Sequence, residues 1–185
     1  TVDKGIVIED ATVDSEGKST ATAGSQFVWI PVGKIYTDTA KTEANAKTIE
    51  LSRYTFDSNG TPTAQGEKAI TENNINYQEL ETSNKGNTVA KSISDFKSSV
   101  AANGGYYIGR YEARKNTKSG KLTEVNSDSV WNNITQPGAA TQARNMYDEQ
   151  QHFTSDLMNS YAWDTAITFI RNCTDKTNYA NQNSL

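Results

Sequence analysis

Two short apolar runs stand out from a polar chain. FVWIPV at 27–32 and YYIGRYEA at 106–113 are too short for core helices and rich in aromatic or β-branched residues, so both predict strands. GIVIE at 5–9 predicts a shorter strand, joined to the first by a polar connector over 10–26. ELSRYTF at 50–56 alternates and then meets DSNG at 57–60. Asn59-Gly60 predicts a hairpin turn there, with both residues tolerating positive φ. Residues 37–48 are polar, and 61–87 are polar without a period, predicting loop with a short helix around Tyr77 to Leu80.

From residue 88 the period becomes helical. Val89, Ile93, Phe96 and Val100 share one face, and Asn103-Gly104-Gly105 predicts the stop. After the second apolar run a basic, glycine-containing turn is expected at 114–121. A helix over 138–147 would place Ala139, Ala143, Met146 and Tyr147 on one face. The strongest helical stripe runs over 155–173: Leu157, Met158, Tyr161, Ala162, Ala166, Phe169, Ile170 and Cys173, with Thr154 or Ser155 as cap. The last dozen residues are polar and expected to fray. These patterns predict an α+β fold in which the two main apolar runs join one sheet and the 155–173 helix packs on it.

Composition narrows the picture. A chain of 185 residues fits one domain, divided here into a strand and polar arm (1–26), a main module (27–175) and a polar tail (176–185). Only 35% of residues are hydrophobic, so the core is expected to be modest, with nine Tyr, three Trp and five Phe filling part of it. Eighteen basic against 22 acidic residues leave no basic stripe, which argues against nucleic acid. No run approaches a transmembrane length, and residues 1–10 lack the plan of a signal peptide. A single cysteine, Cys173, excludes an internal disulfide. A cytosolic protein and a surface protein of a disulfide-avoiding bacterium would share that feature. The abundance of Thr, Ser, Asn and Gly favours an extracellular or cell-surface setting.

Four segments, in order, resemble one family. FVWIPVGKI at 27–35, GGYYIGRYEA at 104–113, WNNITQPGAATQARNMY at 131–147 and SYAWDTAITFI at 160–170 are similar to segments of formylglycine-generating-enzyme-like (sulfatase-modifying-factor) domains. The resemblance spans roughly residues 5 to 175, and its specificity lies in the combination. It implies a variant of the C-type lectin fold: a twisted, mostly antiparallel sheet, flanking helices and long loops. It also points to a subgroup associated with anaerobic Gram-positive bacteria, in which the domain often follows a pilin-like membrane anchor. Catalytic members oxidise a substrate cysteine with copper held by two cysteines late in the domain. The chain stops before that region and lacks the late Trp-Glu-Trp and Arg-Gly-Gly signatures, so the fold is expected to be incomplete at the C-terminus. Fold inheritance is therefore expected without catalysis, copper or any other cofactor.

Candidate residues weigh the same way. Cys173 continues an apolar stripe and reads as a buried helix residue rather than a nucleophile or copper ligand. His152, the only histidine, lies in a polar connector and reads as a surface residue. Asp148, Glu149 and Asp156 form an acidic patch without EF-hand spacing; calcium is known in the resembled family, but helix N-terminal placement accounts for Asp156. Three sequons, at Asn59, Asn133 and Asn172, are expected by chance in so Asn- and Thr-rich a chain. Arg110 and Glu112 would alternate on a strand, either as an ion pair or as the polar floor of a ligand groove. Trp29 and Trp163 read as core, and Trp131 as the tryptophan to contact a ligand such as a glycan. Ile6 and Ile8 sit in an arm suited to strand donation.

The leading expectation is a non-catalytic binding or structural module, forming homo-oligomers or joining another surface protein, in a filament or assembly built by strand addition. The alternatives are the front part of a copper oxidase completed by a further segment, and a minor pilin-like subunit.

Overall fold

The computed structural model describes residues 6–10, 15, 24–66, 93–116, 122–124, 129–147 and 154–173. They form a mixed α+β architecture of small antiparallel sheets and, among the described residues, three α-helices. The central sheet has the order β1-β2-β7, from β1 (Val7–Glu9), β2 (Gln26–Pro31) and β7 (Gly105–Gly109). Around it lie three two-stranded pairs: β3 (Gly33–Tyr36) with β4 (Ala46–Ile49), β5 (Arg53–Phe56) with β6 (Pro62–Gly66), and β8 (Arg114–Lys115) with β9 (Leu122–Thr123). The helices are α1 (Ile93–Asn103), α2 (Gln136–Arg144) and α3 (Ser160–Cys173).

The two apolar runs pair as the pattern requires. Val28 faces Ile108 and Ile30 faces Tyr106 across the β2–β7 ladder. These residues and α1 and α3 bury one core containing Ile30, Ile35, Ile49, Val100, Tyr106, Ala162, Ala166 and Phe169, with Phe96, Leu51 and Cys173 packed against it. The β3–β4 pair supplies Ile35 and Ile49 to this core from a stretch too polar to read as strands.

Helix α3 is also bolted on by polar contacts. The Thr165 hydroxyl accepts from the Ser52 N–H and donates to the Ser52 carbonyl, both at 3.3 Å, and both residues are fully buried. Beside it, Asp164 accepts from Arg53 Nε at 2.6 Å and from the Tyr54 N–H at 3.0 Å. Tyr106 completes the seam, its buried hydroxyl donating to the Ala162 carbonyl at 2.6 Å. Three backbone groups of the 52–54 segment, the Ser52 N–H and carbonyl and the Tyr54 N–H, thus find partners on a helix rather than in a ladder.

Several boundaries differ from expectation. The 106–113 run is a strand only to Gly109, because its partner β2 begins at Gln26; the Arg110 N–H to Gln26 carbonyl bond is the last rung at 2.9 Å. Helix α3 starts at Ser160, not 155, capped by Asn159, whose side chain accepts from the Ala162 N–H at 2.9 Å. Leu157 and Met158 precede it, and Met158 is exposed. Trp163 is 58% exposed, because it falls on the side of the helix opposite the buried Tyr161, Thr165 and Thr168. Helix α2 begins at Gln136 behind the Thr135 cap and buries Ala140 and Ala143. The 57–61 loop is five residues long, not a two-residue turn; only Gly60 takes a positive φ, +74°, and Asp57 closes the loop by accepting from the Asn59 and Thr61 N–H groups. The helix near Tyr77, His152, Asp148, Glu149 and the 176–185 tail lie outside the described residues.

Candidate functional site

The central sheet is apolar on both faces. Strand alternation turns Val28 and Ile30 to the core, and therefore turns Phe27 and Trp29 the other way. Register adds Ile8 opposite Phe27 and Tyr107 opposite Trp29. The Ile6 carbonyl accepts the Trp29 N–H at 2.8 Å, which puts Ile6 on this second face too. Trp29 and Tyr107 pack with their ring centroids 4.9 Å apart and their planes tilted by 59°, and Tyr147, beyond α2, meets Phe27 edge-on at 5.9 Å. Among the described residues, Tyr147 covers one end of this face, and Ile6, Ile8 and Tyr107 are exposed.

Among the described residues, β1 is one edge of this sheet. Its even-numbered residues spend their backbone groups on β2 and its N-terminal flank: Ile6 through its carbonyl, and Asp10 through its N–H to the Ser25 carbonyl at 3.0 Å. In an antiparallel pair these positions alternate, so Val7 and Glu9 turn their N–H and C=O groups outward. Val7 is the most exposed β1 residue, at 47%. The edge lacks the Lys or Pro that ordinarily protects such a strand, Val7, Ile8 and Glu9 being its residues.

A polar seam runs along the covered end of the second face. Asp10 accepts from the Tyr147 hydroxyl at 2.6 Å and from the Ser25 N–H. The Ser25 hydroxyl accepts from the Glu124 N–H at 3.2 Å, and the Glu124 carbonyl accepts from the Gln26 N–H at 3.2 Å. The Glu124 side chain is buried, 9% exposed, and its Oε2 has no hydrogen-bond partner. Its carboxyl fills the space beside Gly109, where a Cβ would come within 2.4 Å of Oε2. Burial pushes the Glu124 carboxyl up to about 7, against a lowering pull from Arg114. Burial, then the bond to Asp10, pushes the Tyr147 phenol up.

The residues singled out from sequence are scattered. Arg110 and Glu112 lie past the end of β7 and are both exposed, so neither the ion pair nor the groove floor forms on a strand. Arg110 instead bonds Gln26 Oε1 at 2.7 Å and lies over the Tyr111 ring. Trp131 is half-buried, and Lys115 sits over one face of its ring at 5.0 Å from the centroid. Trp29, read as core, belongs to the second face. The GIVIE arm, read as a donor, pairs with β2 of its own chain, because β2 offers it a complete ladder partner. Ile6 and Ile8 are thereby brought together with Trp29 and Tyr107; Arg110, Glu112 and Trp131 are not. Glu124, Asp10 and Tyr147 had no motif to mark them, since 137 residues separate Asp10 from Tyr147 in the chain.

Among the described residues no group of three or more His, Cys, Asp or Glu could hold a metal, and no helix is long and apolar enough to cross a membrane. Cys173 packs against the core at the end of α3. No protein-family model matches the chain, and neither the curated proteins nor the solved structures include a significant match to it.

Proposed function

We propose that the chain is a non-catalytic binding or structural module that assembles with a second copy of itself through the β1 edge. The observation that carries this reading is the outward ladder of Val7 and Glu9 beside the exposed Ile6 and Ile8. A strand added there would satisfy the outward backbone groups and cover apolar side chains on both faces. A second copy fits because β1 is self-complementary. In a two-fold antiparallel pair centred on Val7, Val7 meets Val7 and Ile6 meets Ile8, with no like charges opposed. The donor-strand idea is revised accordingly: the arm stays in its own sheet and offers that sheet's edge.

The sequence resemblance to formylglycine-generating-enzyme-like domains supports a C-type-lectin-like fold. With the polar loops, it supports an extracellular or cell-surface setting in a bacterium. Amide exchange tests the assembly. The Val7 and Glu9 N–H groups should exchange freely in dilute protein and gain protection as concentration rises, while the Asp10 N–H stays protected throughout. Val7 and Glu9 exchange that ignores concentration up to the millimolar range would refute the edge as the contact.

A further inference from the structure

A carboxyl group that is buried, joins no hydrogen bond through one oxygen and takes no part in the β1 edge calls for its own explanation. Glu124 is that group. It directly follows β9, and in this stretch, 122–124, β9 pairs among the described residues with β8 alone, itself two residues long. Its backbone is the link from this segment to the start of β2, through the Ser25 hydroxyl and the Gln26 N–H. Its side chain lies beside Gly109, the last residue of β7, where the missing side chain leaves the room it fills.

We infer that Glu124 is a proton-operated latch: with its carboxyl protonated, the 122–124 segment stays docked on the ends of β2 and β7, and with the carboxyl ionised the segment lets go. A protonated carboxyl is tolerated in a partly apolar site, whereas an anion there needs donors. Among the described residues, the groups that face it do not supply enough. From β8, Arg114 lowers its proton affinity, and burial outweighs that pull. From the turn after α2 comes the Tyr147 phenol, which stays neutral and gives its hydrogen to Asp10. From the segment before β2 comes Ser25, whose hydroxyl oxygen accepts from the Glu124 N–H and makes no bond to the carboxyl, and from β7 comes Gly109, which has no side chain to offer. Water entering on release solvates the anion, so ionisation and undocking are coupled. Burial pushes the carboxyl up to about 7, which sets the range near neutrality. The inference does not depend on how copies of the chain assemble.

Amide exchange on the whole chain tests it, read at the Gln26 N–H, whose acceptor is the Glu124 carbonyl. After correction for intrinsic rates, its protection should fall roughly tenfold or more between about pH 5.5 and about pH 8.5. In Glu124→Gln, which cannot ionise, protection should be flat over the same range. In Arg114→Gln the midpoint should move up, since an attractive charge is gone. Protection that ignores pH in the unaltered protein, an equal fall in the Gln variant, or a downward midpoint in Arg114→Gln would each overturn the latch. The Glu124 side-chain carbon resonance offers a check that needs no variant: a titration midpoint near 7 is expected, and one near 4.5 overturns it.

Discussion

Two threonines one turn apart on α3 should respond in opposite ways to the same substitution. Thr165 and Thr168 are both buried, 0% and 3% exposed. The Thr165 hydroxyl serves both the N–H and the carbonyl of Ser52, whereas the Thr168 hydroxyl has no hydrogen-bond partner. Threonine to valine keeps the side-chain volume and replaces a hydroxyl by a methyl group. At 165 it strands two buried backbone groups. Leaving a buried group unsatisfied costs about 1–3 kcal/mol, and both bonds are long at 3.3 Å, so the low end applies to each: Thr165→Val should cost about 2–3 kcal/mol. At 168 the substitution removes a hydroxyl that was buried without compensation, so Thr168→Val should be neutral or stabilising by up to about 1 kcal/mol. Urea unfolding followed by circular dichroism reads both. The midpoint should fall for Thr165→Val and hold or rise for Thr168→Val, with unchanged slopes. Equal destabilisation by the two variants would refute the view that Thr165 bolts α3 to the 52–54 segment.

Other outcomes follow from single contacts. Asp164→Ala should cost about 2 kcal/mol, since it removes a part-buried acceptor from both Arg53 Nε and the Tyr54 N–H, and thermal unfolding at neutral pH will show it. Tyr106→Phe should cost about 1 kcal/mol by loss of the Ala162 carbonyl bond, in the same assay. Trp163→Ala should change stability by less than about 0.5 kcal/mol, because the side chain stands on the outer face of α3. Glu124 ties stability to pH. Its folded value of about 7 lies above the ordinary 4.5, so the folded chain holds a proton that the unfolded chain releases. The stability present below about 4.5 is therefore lost as pH rises through 7, by up to about 3 kcal/mol, and Glu124→Gln should remove this slope from the urea midpoints.

What the chain reveals in its letters, and what it hides, has physical causes. Strands β2 and β7 were legible because their apolar residues are contiguous, and helices α1 and α3 because theirs recur at helical spacing. Strands β3 and β4 were not, since Ile35 and Ile49 are their only core residues. The start of α3 was misjudged because Leu157 and Met158 extend the apolar stripe upstream of the real cap, Asn159. The second face of the sheet was half legible. A strand reading Phe27-Val28-Trp29-Ile30 is apolar on both sides, so one side must meet something besides the main core. The seam could not be read at all, because Asp10, Glu124 and Tyr147 meet only through tertiary contacts among β1, β2 and the ends of β9 and α2. Arg110 and Glu112 looked paired only on the assumption that β7 continued past Gly109.

Sedimentation equilibrium on the unaltered chain and on Val7→Pro tests the central claim most directly. Proline at Val7 removes an outward N–H and leaves the bonds that Ile6 and Asp10 make to β2 and Ser25 in place. The unaltered chain should pass from the mass of one chain to that of two as concentration rises, and Val7→Pro should keep the mass of one chain with an unchanged circular dichroism spectrum. A single-chain mass for the unaltered protein at every concentration, or equal association by a folded Val7→Pro variant, would contradict assembly through the β1 edge.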